Sequence, residues 1–391
     1  MKGVTEFMRD LRLKKWAEIL VHYSLRVEKG EKVLIQGDIG ALPLIEACYE
    51  ESINCGANTE CLLGHDRLGE YFMKHASEDQ LSNTPFLKQY AVENFDCFLF
   101  IYAPSNLQAM TNISLNRHTL ASKANRPITK TILDRKAGGE IRWCRTHYPN
   151  AAAAQNASMG TADFEDFVSQ AGFLHHENPI ESWKALGKSH QRAIDYLSEK
   201  KELHFTNGNG TDLRVNIEGM KWVNLCGTIN FPDGEIYTGP NLNASDGGVN
   251  GVVTYDFPTI YRGVEVDGIE LTFEKGAVVD AKASRNEAFL RSMIEQDAGA
   301  KYVGEVAIGT NYCVSTGVKD ILFDEKIGGT FHTALGMGYP ETGNTNQSAL
   351  HWDLVSDLRK DGAIYADDEK IFENGRFLFS DWPGKELGSS A

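Results

Sequence analysis

Short apolar runs alternate with segments of helical periodicity in the first part of the chain. The apolar runs are Val33–Ile35, Cys61–Leu63, Asp96–Ile101 and Arg142–Cys144. Helical spacing of apolar residues flanks these runs, as at Trp16–Tyr23, and continues in segments after Tyr148. Strand–helix–strand alternation favours a parallel sheet with helices on both faces. We therefore predict an α/β domain, built on a doubly wound parallel sheet and including linking helices, over residues 1–199.

From Glu202 onward the pattern changes to alternating polar and apolar residues. Leu203–Thr206 and Asp212–Ile217 alternate on either side of Asn207–Gly210, which is typical of a hairpin turn. Four further strand patterns are Gly251–Tyr255, Gly263–Val266, Ile269–Phe273 and Ala277–Ala281. One helical pattern, Asn286–Glu295, follows them. The sequence thus predicts a β-rich α+β domain over 200–379, followed by a C-terminal extension over 380–391.

Length and charge limit the functions open to this chain. At 391 residues it exceeds what one hydrophobic core usually supports, so two domains are expected. The formal net charge of −15 argues against a nucleic-acid partner, which normally meets a basic protein surface. Because no apolar run reaches the roughly 18 residues of a membrane-spanning helix, no membrane segment is expected.

The N-terminus and the cysteines bear on the compartment. Residues Met1–Phe7 are mixed and charged, and they lack the apolar core of a secretory signal. The seven cysteines are scattered and form no C-x-x-C pair, which is typical of buried free thiols in a reducing compartment. We therefore expect a cytoplasmic protein.

Two histidines, an aspartate and two glutamates of the second domain are candidate metal ligands. In His351-Trp352-Asp353 the first and third side chains would share one face of a strand and could reach the same ion. His332 lies between two pairs of glycines, which indicates a closely approaching backbone. Imidazole and carboxylate groups are what divalent metals of hydrolytic or oxygen chemistry prefer.

The two glutamates occupy different local settings. Glu235 follows a Pro-Asp-Gly turn, which would project its side chain from a rigid corner, whereas a plain hairpin would leave it solvated. Glu305 lies in an apolar strand pattern between glycines, where a buried carboxylate needs a metal ion, an arginine or a lysine as partner. Two histidines and one aspartate suffice for one ion, so the additional glutamates favour a two-metal hydrolase.

Four sequence blocks carry a resemblance to a known family. They are Asn230–Pro240, Gly304–Asn311, Asp324–Gly336 and Leu350–Val355, in the family's order and with similar separations. With these blocks the chain resembles the thermophilic metallo-aminopeptidases of the aminopeptidase T family, most strongly over residues 200–379. The resemblance implies a homodimer that acts on peptides with a free N-terminus.

The same resemblance implies the composition of an active site with two divalent ions, zinc, cobalt or manganese. The ions would be bound by Glu235, Glu305, His332, His351 and Asp353. Tyr339 falls on the family's active-site tyrosine, and its phenol would donate a hydrogen bond to the developing oxyanion. Glu305 is expected either to bridge the ions or to shuttle the proton of the attacking water.

Two other functions stay open from the sequence. Ring-cleaving dihydroxypyridine dioxygenases resemble this family but use one iron held by two histidines and one carboxylate. In this chain that site would consist of His332, His351 and Asp353, and the presence of both Glu235 and Glu305 argues against it. The other alternative is a non-catalytic binding protein in which a closed set of ligands holds structural ions.

Overall fold

The computed structural model describes residues 10–380 and Trp382, and the chain divides into two compact units. The first unit extends to Ile180 and takes in Gly227–Phe231; the second comprises Glu181–Cys226 and the chain from Pro232 onward. Of the predicted extension over 380–391, all but Ser380 and Trp382 lies outside the described residues, as does the N-terminal segment 1–9. The domain boundaries predicted at 199 and 379 remain predictions.

The first unit is built on parallel strands, as the alternation in the sequence predicts. The strands are β1 (Lys32–Asp38), β2 (Asn58–Gly64), β3 (Cys97–Tyr102) and β4 (Arg142–His147). The helices are α1 (Leu11–Glu18), α2 (Leu42–Asn54), α3 (Asp66–His75), α4 (Glu78–Ser82), α5 (Phe86–Asn94), α6 (Leu115–Ala137), α7 (Ala151–Asn156) and α8 (Thr161–Ala171). A π-helical segment, Ile19–Ser24, continues α1 directly. All neighbouring pairs among β1–β4 are parallel, which confirms the predicted α/β class.

The rest of the chain is mostly antiparallel β-structure. Its helices are α9 (Pro179–Leu197), α10 (Glu287–Ile294) and α11 (Ile321–Asp324). Its strands up to residue 282 are β5 (Glu202–Thr206), β6 (Asp212–Asn216), β7 (Val223–Leu225), β8 (Asn230–Phe231), β9 (Glu235–Thr238), β10 (Val249–Tyr255), β11 (Thr259–Tyr261), β12 (Val264–Val266), β13 (Ile269–Glu274) and β14 (Ala277–Lys282). The later strands are β15 (Val303–Gly309), β16 (Thr330–Gly336), β17 (His351–Asp357), β18 (Ala363–Ala366), β19 (Glu369–Glu373) and β20 (Arg376–Phe377).

The short strand β8 belongs to the first unit although its residues come late in the chain. It pairs in parallel with β4, with Asn230 opposite Arg145 and Phe231 opposite Thr146. The sheet of the first unit therefore has the order β2-β1-β3-β4-β8. Residues 230 and 231 lie within the predicted second domain, and no strand is predicted from the sequence at these two residues.

Two antiparallel sheets enclose the core of the second unit. One has the order β14-β13-β10-β6-β5-β18-β19-β20, and the other has the order β17-β16-β15-β9-β7. Their apolar side chains form one buried cluster, in which the rings of Phe205 and Phe331 stack with centroids 4.2 Å apart. Because side chains alternate along a strand, burying one face of the five-stranded sheet leaves its other face for polar residues.

The helices and cysteines of the described residues bear on two expectations from the sequence. Within the described residues, no helix combines the length and apolarity that crossing a bilayer requires. None of the seven cysteines, all of which lie in the described part of the chain, forms a disulfide, and three of them, Cys48, Cys97 and Cys144, are buried. Cys61 is exposed, so the expectation that the thiols are buried is wrong for this residue.

Candidate metal centre

Four adjacent strands of the five-stranded sheet bring the predicted ligands together. Glu235 opens β9, Glu305 lies on β15, His332 on β16, and His351 and Asp353 on β17. These strands are neighbours in the sheet, so residues far apart in the sequence share one surface. All five side chains lie on the face opposite the hydrophobic core.

A β-bulge at Gly304 directs Glu305 to this face. Val303 pairs with Leu335, and the next pair is Glu305 with Ala334, so Gly304 is the extra residue. A β-bulge of this kind re-aims the following side chain. Without it, strict alternation from the buried Val303 would turn Glu305 toward the core. A Cβ on Gly304 would lie 2.2 Å from the Met337 carbonyl oxygen, so glycine is required there.

Small residues separate the ligands across the strands. Ala334 lies between Glu305 and Asp353 in the sheet register, and Ala307 lies opposite His332. Each offers only a methyl group on this face. The longer ligand side chains can therefore converge above these alanines.

The ligands form two groups that share Glu305. Glu235, Glu305 and His332 make one group, and Glu305, His351 and Asp353 make the other. Within each group the potential ligand atoms lie within 4.8 Å of one another. The Nε2 atom of His332 lies 3.7 Å from Oε1 of Glu305, and Nε2 of His351 lies 3.4 Å from Oε2. The two oxygens of one carboxylate thus face different imidazoles.

Glu235 is fixed by the tight turn that precedes its strand. Gly234 has φ +123°, and a Cβ there would lie 2.7 Å from Cβ of Asn311. The Nδ2 atom of Asn311 donates a hydrogen bond of 2.8 Å to the Asp233 carbonyl oxygen. Glu235 is buried, so the turn places it inside the site and not in solvent. Its Oε2 atom lies 3.4 Å from Nε2 of His332.

His351 is oriented by a hydrogen bond to the backbone. Its Nδ1 atom lies 2.9 Å from the Met337 carbonyl oxygen, to which it must donate. This leaves Nε2 for the site, 3.6 Å from Oδ1 of Asp353. The phenol oxygen of Tyr339 lies 3.2 Å from the same Nε2 atom. The predicted active-site tyrosine is therefore next to a predicted ligand.

Buried polar atoms without partners indicate that these side chains fit a cation. Among the described residues, neither ring nitrogen of His332 has a hydrogen-bond partner, nor do Oε2 of Glu235 and Oδ1 of Asp353. Buried polar atoms are rarely left in this state. Imidazole nitrogens and carboxylate oxygens are the common ligands of zinc and similar ions. The donor set and its unpaired atoms thus fit divalent metal.

Electrostatic coupling within the cluster is strong. Burial lowers the pKa of the His332 imidazole, but Glu305 and Glu235 outweigh it and raise that pKa to about 9. Burial also lowers the pKa of His351, but Asp353 and Glu305 outweigh it and raise that pKa to about 10. Burial raises the pKa of Glu305, yet the two imidazoles outweigh this effect and lower that pKa to about 2. In the absence of metal, protons on the histidines supply positive charge to the cluster.

The other two acidic ligands show how crowded the site is with negative charge. Burial raises the pKa of Asp353 to about 6, with Glu325 and Glu305 adding to the rise and His351 opposing it. The pKa of Glu235 is raised well above its usual value, chiefly by burial. Desolvated carboxylates this close together require compensating cations.

Two residues that lie at the site, Glu325 and Lys326, are not among the residues predicted for it from the sequence. Lys326 is fully buried, and its Nζ atom contacts Glu235, lies 2.7 Å from Oε1 of Glu325 and lies 3.5 Å from Oδ1 of Asp233. The sequence left a metal ion, an arginine or a lysine open as the partner of Glu305. The buried Lys326 pairs with Glu235. The position of both residues directly before the Ile-Gly-Gly-Thr-Phe-His segment was the available signal.

A family and two relatives with similar sequences are peptidases by name. The sequence pattern of the family described as thermophilic metalloprotease (M29) matches residues 9–377. Aminopeptidase 2 from Geobacillus stearothermophilus is 27% identical over 95% of this chain and 98% of that protein. Aminopeptidase T from Thermus thermophilus is 26% identical over 94% of this chain and 98% of that protein.

Solved structures share the fold. Wild-type AmpT from Thermus thermophilus superposes with a TM-score of 0.81 at 24% identity, covering 94% of this chain and 99% of that one. The 2,5-dihydroxypyridine dioxygenase from Pseudomonas putida KT2440 gives a TM-score of 0.59 at 15% identity, covering 97% and 99%. At these identities the structures show the fold alone. The family match covers nearly the whole chain and confirms the resemblance found in the sequence, so the chain is a peptidase of the thermophilic metalloprotease (M29) family.

Proposed function

We propose that this protein is an aminopeptidase that uses two divalent ions. The ligands would be Glu235, Glu305, His332, His351 and Asp353. The observation that carries the proposal is the sharing of Glu305 by two groups of ligands, each of which holds a separate histidine. A carboxylate that faces two imidazoles with its two oxygens is suited to bridge a pair of ions.

The charge of the cluster supports two ions. Around the site lie the five carboxylates of Asp233, Glu235, Glu305, Glu325 and Asp353. One ammonium group, that of Lys326, is among them. With neutral imidazoles, five negative charges and one positive charge leave an excess of four negative charges. Two divalent ions would neutralise this excess, whereas one ion would leave two buried negative charges uncompensated.

The names of the relatives support a substrate class. The relatives with which this chain aligns over nearly their full length are named aminopeptidases. We infer that peptides with a free N-terminus are the substrates.

Side chains around the ions would orient the reacting groups. Divalent ions at this site would supply Lewis acidity, lowering the pKa of a water and polarising the scissile carbonyl. The position of the Tyr339 phenol beside His351 supports a role for it as the donor of a hydrogen bond to the oxyanion, where negative charge would develop. The two oxygens of Glu305 are directed at different histidines, which supports a role for this carboxylate in holding both ions.

Elemental analysis combined with a panel of aminoacyl anilides tests the proposal. We expect about two equivalents of zinc, cobalt or manganese per chain, and hydrolysis that a chelator abolishes and metal restores. One equivalent of iron together with oxygen uptake would instead support the dioxygenase. Metal that is retained without hydrolysis of any anilide would support the binding protein.

A variant of one ligand links metal to activity. Replacing His351 by Ala removes a ligand of one group, so metal content and Leu-anilide hydrolysis should fall together, the latter by at least about 100-fold. The matched control is His22→Ala, because His22 is exposed in the π-helical segment that follows α1. Undiminished hydrolysis by metal-depleted His351→Ala protein would contradict the proposal.

A further inference from the structure

A small pocket lies beside the metal centre, at the β17 edge of the five-stranded sheet. Its floor includes Asp353 and Val355, which share one face of β17 because side chains alternate along a strand. Val355 pairs with His332 in the sheet register, so the floor continues directly into the group of proposed ligands. The empty space, its open mouth included, is about 300 Å³. Pockets for whole ligands measure roughly 300–1,000 Å³, so this one suits a single side chain.

One wall of the pocket is the segment 257–260, which leads into β11. Asp256, directly before it, is bound to β17 in two ways. Its amide donates a hydrogen bond of 3.1 Å to the Val355 carbonyl oxygen. Its Oδ2 atom accepts one of 2.8 Å from the Asp357 amide. This wall is therefore anchored to the strand that forms the floor.

The opposite wall is formed by Lys319 and by Ile321 and Asp324 of α11. Oδ1 of Asp324 accepts a hydrogen bond of 2.7 Å from the Val318 amide, which fixes the segment before the helix. The Nζ atom of Lys319 lies 3.0 Å from Oε2 of Glu265 on β12, and β12 pairs with β11. This ion pair ties the two walls together.

The polar side chains that line the pocket are engaged by the protein itself. Oγ1 of Thr259 accepts a hydrogen bond of 3.2 Å from Nε1 of Trp352. Lys319 is held in its ion pair, and Asp324 is held by its hydrogen bond to the backbone. Asp353 belongs to the proposed ligands. A side chain that enters the pocket therefore meets mainly apolar surface, which consists of Phe257, Pro258, Ile260, Ile321 and Val355.

We propose that this pocket binds the side chain of the substrate's N-terminal residue, and that Ile260 and Ile321 select aliphatic side chains such as that of leucine. The inference deepens the proposed aminopeptidase function and rests on it. The scissile carbonyl has to lie beside the proposed ligands, and the N-terminal side chain branches from the carbon next to that carbonyl. This places the side chain beside Asp353, at the pocket. A charged side chain would be desolvated there without a partner, which is costly. Because the empty space includes the open mouth, the confined part is smaller still, which favours an aliphatic side chain over an aromatic ring.

Filling the pocket and enlarging it should change substrate choice in opposite directions. In Ile260→Phe, kcat/KM for Leu-anilide should fall by about 10-fold or more, while that for Ala-anilide changes by less than about threefold, because a methyl group does not reach the pocket. In Ile321→Ala, kcat/KM for Phe-anilide should rise relative to that for Leu-anilide by about 10-fold. The matched controls are Ile53→Phe and Ile53→Ala, because Ile53 is 45% exposed on α2. They should keep the wild-type ratios.

Ratios of kcat/KM between substrates separate selection from a structural role, which would lower all rates alike. The wild-type protein should prefer Leu-anilide to Lys-anilide and Glu-anilide by about 10-fold or more. Unchanged Leu-to-Ala and Phe-to-Leu ratios in the variants would overturn the inference, as would a wild-type preference for a charged residue. Ile260 and Ile321 lie on opposite walls, so either variant decides the question if the other does not fold. Failure of the wild-type protein to hydrolyse any anilide would instead overturn the proposed function, and this failure appears before any residue is changed.

Discussion

Lys326 is the residue on which the charge balance of the metal centre depends most directly. It is fully buried, and its ammonium group contacts Glu235 and lies near Glu325 and Asp233. Those carboxylates in turn raise the pKa of Lys326 well above its usual value, despite burial that acts in the other direction. The lysine therefore stays charged and serves as the permanent cation of the site.

Removing this cation should destabilise the metal-free protein. Lys326→Met leaves buried carboxylates without their partner, and breaking such a pair typically costs about 3–5 kcal/mol. We expect the free energy of unfolding in urea to fall by about this amount in chelator, and by less in zinc, whose charge compensates the same carboxylates. Lys282→Met, at an exposed lysine, should change it by less than about 1 kcal/mol. Equal losses in the two variants would contradict this account.

At the scale of elements, a buried histidine ties α9 to two strands of the second unit. The Nδ1 atom of His190 lies 2.8 Å from Oδ1 of Asn224 on β7, and Nε2 lies 2.7 Å from Oγ1 of Thr310, which follows β15. Asn224 donates from Nδ2 to the Gly187 carbonyl oxygen at 2.8 Å, so its Oδ1 accepts from His190. Because burial lowers the pKa of His190 to about 4, the ring is neutral near pH 7, so its single proton lies on Nδ1 and Nε2 accepts from the threonine hydroxyl.

This arrangement predicts a loss of stability in acid. Burial lowers the pKa of His190 from 6.5 to about 4, so protonation favours the unfolded chain. The contribution of His190 is complete above pH 6.5 and is lost as the pH falls toward 4, a change of roughly 3 kcal/mol. Urea unfolding at several pH values should show a shallower acid loss in His190→Gln than in the wild type. The exposed His22→Gln control should follow the wild type, and identical slopes in all three proteins would refute the prediction.

At the scale of the whole molecule, the family resemblance implies a homodimer. Helix α3 buries none of its described side chains, and Leu68 and Tyr71 on it are 73% and 67% exposed. Large apolar side chains exposed together on one element are typical of a surface that meets another protein.

The homodimer that the resemblance implies would have a measurable mass. Light scattering at micromolar concentration should give about twice the chain mass of 43.4 kDa. A dilution series serves as the control, because dissociation should return the mass of one chain without loss of folded structure. A mass of one chain at every concentration would rule the dimer out.

The sequence by itself predicted several of the elements and the five side chains that the structure brings together at the site. The apolar run at Asp96–Ile101 predicts a buried parallel strand, and β3 is one. The spacing of His351 and Asp353 puts both on one strand face, and the structure has them on β17. These features follow from local periodicity, which a sequence displays directly.

Only the tertiary structure decided which charges meet. That Lys326 pairs with Glu235, that Glu325 joins the site, and that the extra residue at Gly304 turns Glu305 away from the core all depend on pairings between distant strands. Local patterns do not encode such pairings, because a shift of one residue in register reverses the face of every side chain. Charges separated by many residues acquire strong energies only when folding brings them together in a desolvated interior.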